Sequence, residues 1–282
     1  MKRTALIVTS LLLAACGGTW QPEGSPELVV EGYIEDGGFP RVTVTTSVPT
    51  STEYRRIDEQ TEHLVRWAKV SVSDGDNTVI LTGMNDKHSF PPYVYTTPFM
   101  RGQAGKAYTL TVEYGGRTAT AVTTIPEPLP LDGLELARTA EKDGAFYLFA
   151  TFTDPPEPGN HYKFFVKTEG ADSLFVSSFL GNFDDSALPE GKVTVQVRKG
   201  NAFGMGETSL RDPAYFYPGE KVHVRFCTLD EASYRFWESF ESVSSLSNVP
   251  AFTVSSNPEF NVEGGLGYWC GYGASYYDLT VE

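Results

Sequence analysis

The residues with the most evident chemistry are four histidines, three cysteines and a few paired aspartates. His63, His88, His161 and His223 stand apart from one another, with no helical i, i+4 pair of the kind that grips zinc. In Val222-His223-Val224 the imidazole faces the opposite side of a strand from both valines. Asp74 with Asp76, and Asp184-Asp185, could touch calcium. The alternating acids and sixth-place glycine of an EF-hand loop are absent, so turn formation accounts for them better. The glycines at 264–273 invite a phosphate-loop reading, which the missing lysine and missing helix pattern reject. A nucleophile elbow is absent as well. Cys227 and Cys270 sit in aromatic, strand-like sequence with no neighbouring histidine, so neither reads as a nucleophile. They either bridge neighbouring strands or stay as two buried free thiols. No catalytic residue, metal ligand or cofactor motif is assigned. Paired carboxylates are defined by spatial separation, which keeps an envelope hydrolase as a third reading.

One cysteine does carry a specific chemical signal. Met1-Lys2-Arg3 is a short basic start, residues 5–15 are apolar, and Leu13-Ala14-Ala15-Cys16 matches a lipobox. The apolar run is too short to span a bilayer, which takes about 20 residues. The expectation is a signal peptide over 1–15, removed by cleavage, with Cys16 acylated and acyl chains as the membrane anchor. Residues 16–27 then form a lipidated Gly/Pro-rich tether. Gly17 stands where an aspartate would favour inner-membrane retention, so the outer membrane is expected. Either the periplasmic or the outer side fits.

The formal net charge is −14, and loss of Lys2 and Arg3 makes the mature chain more acidic still. A body of this charge repels nucleic acid and anionic membrane surfaces. Hydrophobic residues at 40% argue for a folded protein.

The elements that must position any site read as mainly β. Strands are expected at 28–34, 41–48, 68–73, 78–81, 108–114 and 117–123, with 74–77 and Gly115-Gly116 as hairpin turns. This predicts an N-terminal sandwich of immunoglobulin or transthyretin type over 28–126. The segment 49–66 reads as a polar excursion. Alternate prolines at Pro126, Pro128 and Pro130 mark a stiff linker. A second β-rich domain over 127–282 follows, with strands at 146–152, 162–167, 192–198 and 221–227 and a polar loop at 199–213. Its one helix, near 230–246, starts at Thr228 or Asp230 and presents Ala232, Phe236, Phe240 and Val243, widened by Tyr234 and Trp237, to the sheet. The terminal glycines are read as a sharp bend before a closing strand at 276–281.

Aromatic density after residue 203 singles out Tyr215, Tyr217, Tyr268 and Trp269. Exposed rings there could contact a ligand, a glycan or a protein partner; buried ones would simply fill the interior.

Several of these residues also carry a family resemblance. Residues 28–34 soon after the lipobox, Ile125-Pro126, Asp230 with Tyr234-Arg235-Phe236-Trp237, and Asn261 with Gly264-Gly265-Leu266-Gly267 and Gly271-Tyr272 occur in an order that resembles the Bacteroidetes lipoproteins of domain-of-unknown-function family 4249. The resemblance implies a non-enzymatic accessory of a TonB-dependent outer-membrane transporter, acting in ligand capture or complex assembly. It defines no catalytic residue. The alternative of a different class is a surface glycan-binding lipoprotein.

Overall fold

The computed structural model describes residues 26–47, 61–89, 91–200, 214–246 and 258–282. Cys16, the tether before Pro26, most of the 49–66 excursion and most of the 199–213 loop lie outside those residues.

The chain is mainly β. In order, the strands are β1 (Leu28–Glu35), β2 (Arg41–Thr46), β3 (Lys69–Ser73), β4 (Thr78–Ile80), β5 (Thr82–Asn85), β6 (Tyr93–Thr96), β7 (Ala107–Tyr114) and β8 (Arg117–Thr124). After the proline segment come β9 (Gly133–Arg138), β10 (Phe146–Thr153), β11 (His161–Thr168), β12 (Val176–Asp184), β13 (Lys192–Val197) and β14 (Lys221–Leu229). Helix α1 (Glu231–Leu246) and β15 (Leu266–Thr280) complete the chain. The predicted hairpins form. Gly115 and Gly116 both take positive φ (58° and 77°), as a two-residue turn matched to strand twist requires. Among the described residues no helix is long and apolar enough to cross a membrane.

The sheets depart from two independent sandwiches. Eight strands form one sheet in the order β12-β11-β14-β15-β1-β2-β6-β5. Two smaller sheets, β4-β3-β7-β8 and β13-β10-β9, pack side by side on one of its faces. Under the first lie Val30, Ile34, Val42 and Val44 of the large sheet against Val70, Val72, Leu110 and Val112. Under the second, Phe164, Val166, Val224 and Phe226 meet Leu148, Phe152 and Val193. The alternation of these residues with polar neighbours is what a half-buried strand demands.

The terminal strand joins the two halves. β15 is continuous over fifteen residues, where the sequence suggested a bend and a short closing strand. Its first half runs parallel to β1, with Val29 opposite Leu266 and Glu35 opposite Tyr272. Its second half runs antiparallel to β14, with Leu229 opposite Tyr272 and Lys221 opposite Thr280. β15 therefore crosses the boundary expected at 126/127. Trp269 fills the first core, while Leu279 packs on the second. The glycines serve close approach rather than bending: a Cβ on Gly271 would sit 2.5 Å from the Thr124 carbonyl oxygen, where the chain leaves β8 and crosses over β15.

α1 covers the opposite face of the large sheet. Asp230 is its N-cap: Oδ1 accepts from Ser233 N (2.9 Å), and Oδ2 accepts from Thr123 Oγ1 (2.7 Å) and Thr124 N (2.8 Å). Thr228, the alternative start, instead donates its hydroxyl to Glu127 O (2.8 Å). The inward face differs by one position from the expected one. Ala232 is exposed and Ser233 buried, beside Tyr234, Phe236 and Trp237, because Ser233 reaches the Thr123 hydroxyl (3.4 Å). The Val243 side chain lies outside what is described.

Candidate functional site

The helix-side face of the large sheet holds the site. By strand alternation, Glu31, Tyr33 and Glu35 of β1, Phe165 of β11, Arg225 of β14 and Tyr268 and Tyr272 of β15 all project onto it. All of these except Glu35, with Arg41 and Thr43 of β2, Phe175 from the β11–β12 connection and Trp237 of α1, line a recess of about 220 Å³.

Arg225 is its most unusual side chain. It is only 5% exposed. Its guanidinium carbon lies 4.2 Å from the centroid of the Phe165 ring, 5.1 Å from Phe175, 5.2 Å from Tyr272 and 5.4 Å from Tyr33. Such rings offset part of the desolvation cost of a buried cation. Nη1 reaches Glu35 Oε2 at 3.5 Å, and Nε has no hydrogen-bond partner. Glu35 itself accepts from the Tyr276 hydroxyl (2.6 Å).

Glu31 opens onto the same recess, and among the described residues no hydrogen bond or ion pair holds its carboxylate. Its side chain is solvent-exposed, and the protein around it raises its pKa above the ordinary carboxylate range through desolvation. Arg41, by contrast, is engaged by Asp86 (2.6 Å) and Ser89 (3.0 Å). That pairing, with the Ser89 hydroxyl and the His88 amide, lowers the Asp86 pKa to about 2.

Behind the recess a second cation is wholly enclosed. Lys163 has no exposed surface and pairs with Glu241 of α1, its ammonium 4.8 Å from the Trp237 ring centroid. Burial lowers its pKa, opposed by the Glu241 charge.

The four aromatic residues singled out from sequence do not come together. Tyr268 lines the recess and stacks on Phe236 at 4.4 Å. Its neighbour Trp269 points the other way into the first core, fully buried, with Nε1 donating to Tyr108 O (3.0 Å). Its expected role in contacting a ligand is therefore corrected: period-two alternation puts adjacent residues on opposite faces. Tyr215 and Tyr217 are half-buried and belong elsewhere. Tyr215 stacks on Tyr147 (5.5 Å) and donates to Glu141 (3.0 Å). Tyr217 borders a wider, more open depression of about 720 Å³ with Lys142, Lys199 and Glu220.

Cys227 and Cys270 are free, buried thiols, which decides against the bridge. Cys227 lies opposite Ala274 in the β14–β15 register, four residues from Cys270. Burial pushes each thiol up to about 12. The histidines stay scattered. His223 meets Asp278 (2.5 Å) and His161 stacks on Tyr234 (4.5 Å). Among the described residues no three His, Cys, Asp or Glu side chains converge as a metal would require. The paired aspartates hold turns: Asp74 accepts from Asn77 N (2.8 Å), and Asp185 from Gly159 N (2.7 Å).

Sequence reasoning missed Arg225, Glu31 and Phe165. The available signal was a charged or aromatic residue alternating with valines, as in Val224-Arg225-Phe226. That pattern marks the second face of a strand but not what faces it.

No curated protein matches the chain. A family match covers residues 21–277, most of the chain, and so the protein belongs to the family described as Domain of unknown function (DUF4249).

Proposed function

We propose that the protein is a lipid-anchored accessory of a TonB-dependent outer-membrane transporter in Bacteroidetes, and that it captures a small ligand without transforming it. The observation that carries ligand capture is the recess where the buried Arg225 keeps an unpaired Nε among aromatic rings and the solvent-exposed Glu31 lines the same space. Protein interiors rarely leave a buried donor such as Arg225 Nε unsatisfied unless something else satisfies it. A hydrolytic role would need a second carboxylate about 5–10 Å across from Glu31. The next on its strand face, Glu35, is four residues on, roughly 13 Å along the backbone, and is engaged by Arg225 and Tyr276.

Anchoring rests on Leu13-Ala14-Ala15-Cys16. It fits with the end of the first sandwich at which residue 26 lies. There Arg117 donates to Pro26 O, β3 starts, and Trp67 is 87% exposed. Exposed tryptophan favours the bilayer interface. The test is extraction of the native protein in mild detergent. Lipid on Cys16 by mass spectrometry and a co-purifying β-barrel transporter are expected. Repeated extraction without a barrel protein, or a lipid-free soluble species, overturns the reading.

A second reading, a surface glycan-binding lipoprotein, draws on the solvent-facing Tyr147–Tyr215 stack beside Glu141. It predicts retardation in a glycan affinity gel that Tyr215→Ala abolishes. Equal mobility with and without glycan removes it.

A further inference from the structure

Three charged side chains are buried among the described residues: Lys163, Lys199 and Arg225. Both lysines are neutralised by direct contact. Lys163 pairs with Glu241, and Lys199 donates to both carboxylate oxygens of Glu220 (2.7 and 2.6 Å). Arg225 is met differently. Glu35, the carboxylate within ion-pair reach of it among the described residues, stands at 3.5 Å and already accepts from the Tyr276 hydroxyl (2.6 Å). A charge-assisted contact is closer, about 2.7–2.9 Å. Four rings surround the guanidinium at 4.2–5.4 Å, and Nε keeps no hydrogen-bond partner. Of the three buried cations, Arg225 is the one that lines the recess. The cation left under-neutralised is thus the one beside open space.

An anion in the recess would give Arg225 the counter-charge that Glu241 and Glu220 give the lysines. The planar guanidinium fork matches a carboxylate. A doubly charged anion would be set against Glu35, so a single negative charge fits better. Glu31 does not enter this balance. The register puts it opposite Tyr268 and Arg225 opposite Tyr276, eight positions apart on β15, and its pKa is raised by desolvation alone, without influence from the Arg225 charge. Beyond the guanidinium, Phe165, Phe175, Tyr272 and Trp237 offer ring surface to an apolar body. The volume of about 220 Å³ lies below the roughly 300–1,000 Å³ of sites for drug-sized ligands, which limits that body to about one ring.

We infer that the recess binds a small monocarboxylate with an apolar or aromatic body, its carboxylate against Arg225 and its body among the rings. The inference rests on the ligand-capture reading, and on neither lipidation nor a transporter.

Calorimetric titration of the folded mature chain with 3-phenylpropionate, 3-phenylpropionamide and propionate tests it. Saturable one-to-one binding of 3-phenylpropionate is expected. The amide, equal in shape but uncharged, should bind about ten- to hundredfold more weakly. Propionate, which lacks the ring, should bind about tenfold more weakly or less. Arg225→Met should close the gap between acid and amide, since an apolar side chain of similar length can replace a buried cation. Phe175→Ala, on a partly exposed connection, should weaken acid and amide by a similar factor and keeps the test open if the Arg225 variant does not fold. Equal affinity for acid and amide, or no binding of the acid, overturns the inference. Native mass spectrometry of the extracted protein separates this from capture itself: a retained small molecule without a carboxylate would leave capture standing and remove the inference.

Discussion

Glu31 sets a weak pH dependence of stability, damped by solvent because its side chain is exposed. Its pKa is raised by desolvation, so between the unfolded and folded pKa values the native state binds more protons than the unfolded chain. Stability then falls as pH rises through that window. Glu31→Gln should accordingly raise Tm only slightly at pH 7 and leave it nearly unchanged below the unfolded glutamate pKa, by scanning calorimetry at both pH values. A Tm that falls at pH 7 would show that the carboxylate is held by a favourable contact. The two thiols behave in the opposite way. Fully buried and pushed up to about 12, Cys227 and Cys270 should resist a thiol reagent in the native protein at pH 8. Both should react at once in denaturant. Rapid native labelling would contradict their burial.

At the scale of elements, α1 depends on one cap and one buried ion pair. Glu241 partners a Lys163 that has no exposed surface, so Glu241→Gln leaves a cation enclosed and unpaired. A loss of about 3–5 kcal/mol is expected on urea denaturation. Lys163→Met should cost much less, since Met fills the space beside Trp237 and Glu241, partly exposed, can reach water. Equal losses would mean that the pair adds little beyond packing. Asp230 does more than cap: it ties the helix start to the end of β8 through Thr123 and Thr124. Asp230→Ala should cost about 2 kcal/mol or more, above a surface cap's usual 1 kcal/mol.

At the scale of the molecule, the seam at β15 decides whether the halves fold together. Gly271→Ala would press a methyl against the Thr124 carbonyl, backbone against backbone. A destabilisation of roughly 3 kcal/mol or more follows, because neither chain can yield cheaply. Trp269 in the first core and Trp237 under the helix offer separate fluorescence reports, and their transitions should separate in the variant and coincide in the native protein. A loss no greater than that of Gly115→Ala, at an open turn, would mean that the crossing is slack. The residues on which the family resemblance rests gain a physical reading here. Asp230, Asn261 and Gly271 all work at this seam; Asn261 bonds both the amide and the carbonyl of Trp269 (2.9 and 2.8 Å). Their order in sequence reports how the halves are stitched together, and the recess lies next to that stitching.

Local pattern was enough for the strands at 28–34, 108–123 and 221–227, the two hairpin turns, the proline segment and a helix beginning at Asp230. Each of these is written in neighbouring residues by alternation, turn chemistry or capping. The weakly alternating β5, β9 and β12 left no such mark, and the glycines of β15 imitated a bend. Tertiary structure alone decided that β15 serves both sandwiches, that Trp269 and Tyr268 part to opposite faces, and that Arg225 and Glu31 share one recess. Strand pairing joins residues as far apart as Glu35 and Tyr272, 237 positions in sequence. No local propensity encodes which strands meet, so the site existed only once β1, β14 and β15 lay side by side.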